Sequence, residues 1–176
     1  MLQFVVACLL AAPLAANQTH LVVGQSASLN VYACQKVNAS AIWLEAGAHY
    51  TFTVRPNDTW KDAKICCTAN GWVAQEQFGP ILRRLARKQE PNRRCPCANW
   101  FELVGACQGN VCSQYFKIGC RGAAWTFSPT SSGRFFAFAN DLDSRYHNNS
   151  GVICVTVTRV AAARKPLPDC LRNTRF

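Results

Sequence analysis

Four things are scarce or missing in this 176-residue sequence, and each narrows what it does. Beyond residues 1–16 no apolar run approaches the length that crosses a bilayer, so no membrane insertion is expected. Residues 1–16 themselves (MLQFVVACLLAAPLAA) carry no charge, are too short to span, and end in small residues. They read as a secretory signal peptide cut near Ala16, which makes the mature protein secreted. There is no G-x-S-x-G elbow, no H-E-x-x-H and no Gly-rich phosphate loop, the signatures of common hydrolase, zinc-protease and nucleotide-binding classes. Histidine is sparse: His20, His49 and His147 are scattered, and Asp141 and Asp143 lie in a loop among amides rather than as an acid–base pair. The chain is therefore expected not to be an enzyme. Acid is scarce as well: nine Asp and Glu against nineteen Lys and Arg give a net charge of +10 and a pI near 9.3. For an exported chain this predicts acidic glycans, sulfated matrix or anionic cell surfaces as partners before nucleic acid, with solubility alone as the equal alternative.

Cysteine, by contrast, is plentiful. With Cys8 in the leading segment, ten remain: Cys34, Cys66, Cys67, Cys95, Cys97, Cys107, Cys112, Cys120, Cys154 and Cys170. An even number in an exported chain predicts as many as five disulfides, with no connectivity legible. The spacing lacks the C-x2-C pattern of zinc sites. On a strand, Cys66 and Cys67 point to opposite faces and so bond different partners. Asn17, Asn38 and Asn57 begin glycosylation sequons, as does Asn148.

The pattern along the chain is one of short alternating runs separated by turn residues, with almost no helical period. Strands are expected within residues 21–34, at 41–44 and 50–54, across 63–67, at 123–127, at 134–139 and through Ile153, Val155 and Val157. Trp43, Trp60, Trp72, Trp100 and Trp125 fall about one per strand or turn, which favours core filling over sugar stacking. Residues 77–94 are the exception. There Ile81, Leu82 and Leu85 among Arg83, Arg84, Arg87 and Lys88 suit one or two turns of basic helix before Pro91. That segment reads first as a solvated loop, next as a polyanion-binding patch, and last as a processing site at Arg84-Leu-Ala-Arg87. Many short strands make the fold class all-β, an antiparallel β-sandwich.

One loop stands out: Asn140-Asp-Leu-Asp-Ser-Arg-Tyr-His-Asn-Asn-Ser150-Gly151, set between two strands. Its carboxylates and amides are the oxygen donors a hard cation takes, and they are also ordinary turn formers. The order Asn140-Asp141, Tyr146, Asn148-Asn149-Ser150-Gly151 and an alternating strand resembles the PA-IL-like (LecA-type) calcium-dependent galactose-binding lectins. Leu44-Glu-Ala-Gly47 before Tyr50-Thr-Phe-Thr-Val54, Asn70-Gly-Trp72, Phe78-Gly79-Pro80, Trp100-Phe-Glu-Leu-Val-Gly105 and Phe116-Lys-Ile-Gly119 fit the same pattern over roughly residues 28–160.

The resemblance implies a jelly-roll-like sandwich with Ca2+ at one loop end. It implies metal ligands from the side chains of Asp141, Asn148 and Asn149 and the main-chain carbonyl of Arg145, with one further carbonyl near Phe78. Asp141 and Asn148 would also meet the sugar hydroxyls. This sequence departs from the family where Asp143-Ser144 replaces a Pro-Gly, and Asp143 either joins the metal or caps a turn. The family's sugar-reaching His and Gln have no match, so galactose specificity does not carry over. A glycan on Asn148 is incompatible with its service as a ligand. The division expected is a signal peptide at 1–16, a lectin-like domain at 17–160 and a basic, Pro-containing tail at 161–176. The function expected is glycan binding through loop-bound calcium. The alternative is a secreted disulfide-rich module that binds acidic glycans or other polyanions through its basic surface, its loop vestigial.

Overall fold

Among the residues the structure describes, 17–109, 113–120 and 125–162 of a computed structural model, eleven strands and two α-helices follow one another. They are Thr19–His20 (β1), Ser26–Tyr32 (β2), Asn38–Leu44 (β3), His49–Val54 (β4), Trp60–Asp62 (β5), Ile65–Cys67 (β6), Ala74–Gln77 (α1), Pro80–Gln89 (α2), Leu103–Gln108 (β7), Ser113–Lys117 (β8), Thr126–Phe127 (β9), Gly133–Ala139 (β10) and Asn149–Val160 (β11). The leading segment with Cys8, Cys112, Ala123-Ala124, and Cys170 with most of the tail lie outside the described residues.

The alternation through Ile153, Val155 and Val157 produces the spine of the molecule. These three side chains are buried, while β11 pairs with β2 along one edge and with β5 and then β4 along the other. Around it forms a sheet in the order β6-β5-β11-β4-β9, facing a second sheet in the order β1-β3-β10-β7-β8. Pairing is antiparallel throughout except between β1 and β3, a parallel contact that the alternation alone did not announce. Leu44, Leu103, Phe116 and Phe135 from one sheet and Val31, Tyr50, Phe52 and Trp60 from the other share one buried cluster. Phe52 sits 5.0 Å from Phe116 and 5.3 Å from Phe135, ring to ring, so aromatic packing joins the layers. This is the all-β, two-sheet class the turn spacing predicts.

Three local differences have clear causes. The run expected as a single strand at 63–67 folds as the β5–β6 hairpin, with Ala63 at φ +50° turning the chain. The basic segment forms ten residues of helix rather than one or two turns. Pro80 at its start needs no N–H partner, and Arg87 and Lys88 lie at its negative end. Asn38 is a correction: it is 3% exposed, accepts from Tyr32 N–H and donates to the Tyr32 and Ala137 carbonyls. The fold has no room for a glycan there, whereas Asn17 and Asn57 are exposed.

Cys66 is exposed and Cys67 buried, on opposite faces as expected. Among the described residues, Cys34, Cys66, Cys67, Cys95, Cys97, Cys107 and Cys154 are not joined in disulfides. Cys120 Sγ lies near the Asn70 carbonyl. No helix among the described residues is long and apolar enough to cross a membrane.

Candidate functional site

The Asn140 loop is held from beneath before any ligand enters. Asn140 is fully buried, and its Oδ1 accepts the Cys95 N–H at 2.9 Å while its Nδ2 donates to the carbonyls of Cys95, Ala98 and Asn99. A side chain that satisfies four backbone groups of a neighbouring segment welds that segment to the end of β10. Tyr146 performs a similar service from the far end, donating its hydroxyl to the Ala139 carbonyl at 2.6 Å. Burial pushes its phenol up to about 12, so it stays a donor. Arg94 lies over the Phe138 ring, 3.7 Å from its centroid, and donates to Tyr146 Oη and to the Lys36 carbonyl.

From this base the loop presents Asp141 and delivers Asn148 and Asn149 to the start of β11. Asp141 is 2% exposed. Its Oδ1 accepts the Leu142 N–H at 2.7 Å and its Oδ2 accepts Asn149 Nδ2 at 2.9 Å. Asn149 stands opposite Asp62 in the β11–β5 register. Two residues on, Gly151 adopts φ +97°, and a Cβ there would come within 2.8 Å of Trp60 Cα. Only glycine lets β5 lie this close to β11 and bring Asp62 to the loop.

The loop and β5 set two carboxyls, Asp141 and Asp62, near each other. Burial, reinforced by the charge of Asp141, raises the Asp62 carboxyl to about 6, while the hydrogen bond from Trp72 Nε1 at 3.2 Å opposes the rise. Asp141 is raised too, chiefly by burial, against the Asn149 and Leu142 hydrogen bonds and the charge of Arg145. Two carboxylates that resist ionisation beside each other gain most from a positive ion. Asn148 Oδ1 and Asn149 Oδ1 are buried and have no hydrogen-bond partner among the described residues. Buried polar atoms are nearly always satisfied, so two orphan oxygens beside two acids fit an oxygen-seeking cation. No group of three His, Cys, Asp or Glu gathers among the described residues. The oxygens gathered here are a mixture of carboxylate and amide, a mixture that suits calcium better than zinc.

The structure therefore brings Asp141, Asn148 and Asn149 together. The Arg145 carbonyl accepts the Asn148 N–H at 3.2 Å, and its exposed guanidinium charge acts on both carboxyls. Asp143 turns outward, 72% exposed, and meets Arg94 at 3.7 Å. The Phe78 carbonyl accepts from Arg83 Nη2 at 3.2 Å, and the Phe78 ring packs edge-on to Trp72. His147 is exposed, with Nδ1 at 3.0 Å from the Ser144 carbonyl. Asp62 is the residue that sequence reading missed. Its signal was available: Trp60 is an inward residue, and period-two alternation puts Asp62 on the same face.

Above these oxygens opens a cleft of about 600 Å³ lined by Asp62, Asp141 and Asn148 at one end and by Trp72, Phe78 and Trp100 along a wall. Trp72 and Trp100 stack with planes 8° apart, so both serve the core while one edge meets the cleft. Trp100 Nε1 is buried without a hydrogen-bond partner among the described residues.

No protein-family model matches the chain, and no curated protein does. Among solved structures the chain is similar to one described as "EclA N-terminal domain; PllA-like lectin". The TM-score is 0.49 and the identity 20%, over 75% of this chain and 94% of that one. A likeness of that depth decides nothing about what this chain binds.

Proposed function

We propose that the chain is a secreted glycan-binding protein that holds a calcium ion at Asp141, Asn148 and Asn149, with Asp62 as a further carboxylate. The observation that carries this reading is the pair of buried, unpartnered amide oxygens on Asn148 and Asn149 beside the buried Asp141 and the half-buried Asp62. The sequence resemblance to calcium-dependent galactose-binding lectins points the same way. Bound calcium supplies a positive charge with coordination positions left for vicinal sugar hydroxyls. The chain's own part is to hold the donors in place. Leu142 N–H and Asn149 Nδ2 fix the two oxygens of Asp141, and Asn140 and Tyr146 fix the loop that carries it. Disulfide pairing among the cysteines, and glycans at Asn17 and Asn57, belong to the same secreted reading.

Binding of the secreted protein to immobilised neutral glycans tests it. Retention is expected to vanish in EDTA, return with calcium, and change little with salt. A second reading rests on the exposed Arg84, Arg87 and Lys88 of α2. It makes the protein a binder of acidic glycans through charge, and it predicts retention that ignores EDTA and falls steeply with salt.

A further inference from the structure

Helix α2 has no buried residue. At about 3.6 residues per turn, Ile81, Leu82, Leu85 and Ala86 share one half of its surface and Arg83, Arg84, Arg87 and Lys88 the other. The apolar half is not hidden by the protein: Ile81 is 79% exposed, Leu82 56% and Leu85 55%. Leu82 and Leu85 form one lip of the cleft, and the basic side chains of Lys64 and Arg145 border the same opening. The helix is anchored at its start, where Arg83 Nη2 donates to the Gln75 and Phe78 carbonyls at 3.1 and 3.2 Å. An exposed apolar row of this kind, flanked by bases on a fixed helix, marks an interaction surface.

We propose that α2 is an interfacial helix that seats the protein on an anionic lipid surface, its axis in the membrane plane. The apolar row enters the headgroup boundary, while Arg84, Arg87 and Lys88 reach lipid phosphates and carboxylates around it. Charge complementarity selects this occupant: α2 carries no acidic residue, and its polar half presents the exposed bases Arg84, Arg87 and Lys88. A sulfated glycan would use the bases and leave Ile81, Leu82 and Leu85 in water, whereas a lipid surface uses both halves of the helix. The seating does not depend on the cation site, and it turns the mouth of the cleft toward the bilayer.

Co-sedimentation of the full chain with vesicles tests the proposal, in EDTA so that the cation site plays no part. The vesicles are phosphatidylcholine alone or mixed with phosphatidylserine. Wild type is expected to partition onto the mixed vesicles and not onto phosphatidylcholine alone. Ile81→Ser with Leu85→Ser should weaken partitioning by about a hundredfold, as the loss of two apolar anchors implies. Arg84→Gln with Lys88→Gln should weaken it about fivefold per charge. All four side chains are exposed, and an unchanged circular dichroism spectrum verifies the fold. The proposal is overturned if wild type does not bind the mixed vesicles, if it binds both vesicle types equally, or if the serine variant binds like wild type. Retention on heparin without vesicle binding also overturns it and returns the helix to simple polyanion binding.

Discussion

At the scale of single residues, Asp62 makes the sharpest predictions. Its carboxyl rises from 3.8 to about 6 because it is partly buried and lies beside the charge of Asp141. The folded chain then holds this proton more tightly than the unfolded chain does. The resulting stabilisation is fully present below 3.8 and is lost as pH rises through about 6. In EDTA the thermal midpoint is therefore predicted to fall across that window, and the Asp62→Asn variant should lack this component of the fall. With calcium present the trend is opposed, since the ion favours both carboxylates ionised. A second expectation follows from ligand charge. Asp62→Asn should weaken calcium binding by about tenfold or more, because it removes one of two carboxylates from a site otherwise built of neutral oxygens. Calorimetric titration of variant against wild type measures that change.

At the scale of elements, the site depends on how loop, β5 and β11 are held together. Asn140→Ala removes four hydrogen bonds to the 95–99 segment and leaves buried backbone groups unsatisfied. A loss of about 3 kcal/mol in stability is expected, read by urea unfolding. Gly151→Ala should destabilise as well and separate Asp62 from Asn149, so calcium affinity should fall further than stability alone accounts for. These contacts also explain what was legible beforehand. The alternation through Ile153, Val155 and Val157 wrote β11 into the sequence, because a half-buried strand must repeat every second residue. Asp141, Asn148 and Asn149 were legible for a different reason: they lie within one loop, so order along the chain stands in for distance. Asp62 lies far away in sequence, and only the register of β5 on β11 brings it in. The β5–β6 turn was hidden because Ala63 adopts a left-handed backbone that nothing in its side chain announces. Asn38 looked like a glycan acceptor because a sequon carries no information about burial.

At the scale of the whole molecule, the net charge of +10 and the two acids of the site pull in different directions. A basic surface disfavours cations at long range, and that effect is screened by salt, whereas the buried oxygens act over bonding distances. Raising the salt concentration should therefore weaken polyanion binding far more than calcium binding, a contrast that parallel titrations at low and high ionic strength would reveal. The measurement that bears most directly on the account is a calcium titration of wild type and Asp141→Ala, followed by calorimetry and by thermal unfolding. The account predicts one site in wild type and a stabilisation of about 2.7 kcal/mol when calcium is a hundredfold above its Kd, with neither in the variant. An unchanged midpoint and no binding heat in wild type would contradict it, and would leave the unpartnered oxygens of Asn148 and Asn149 without a ligand.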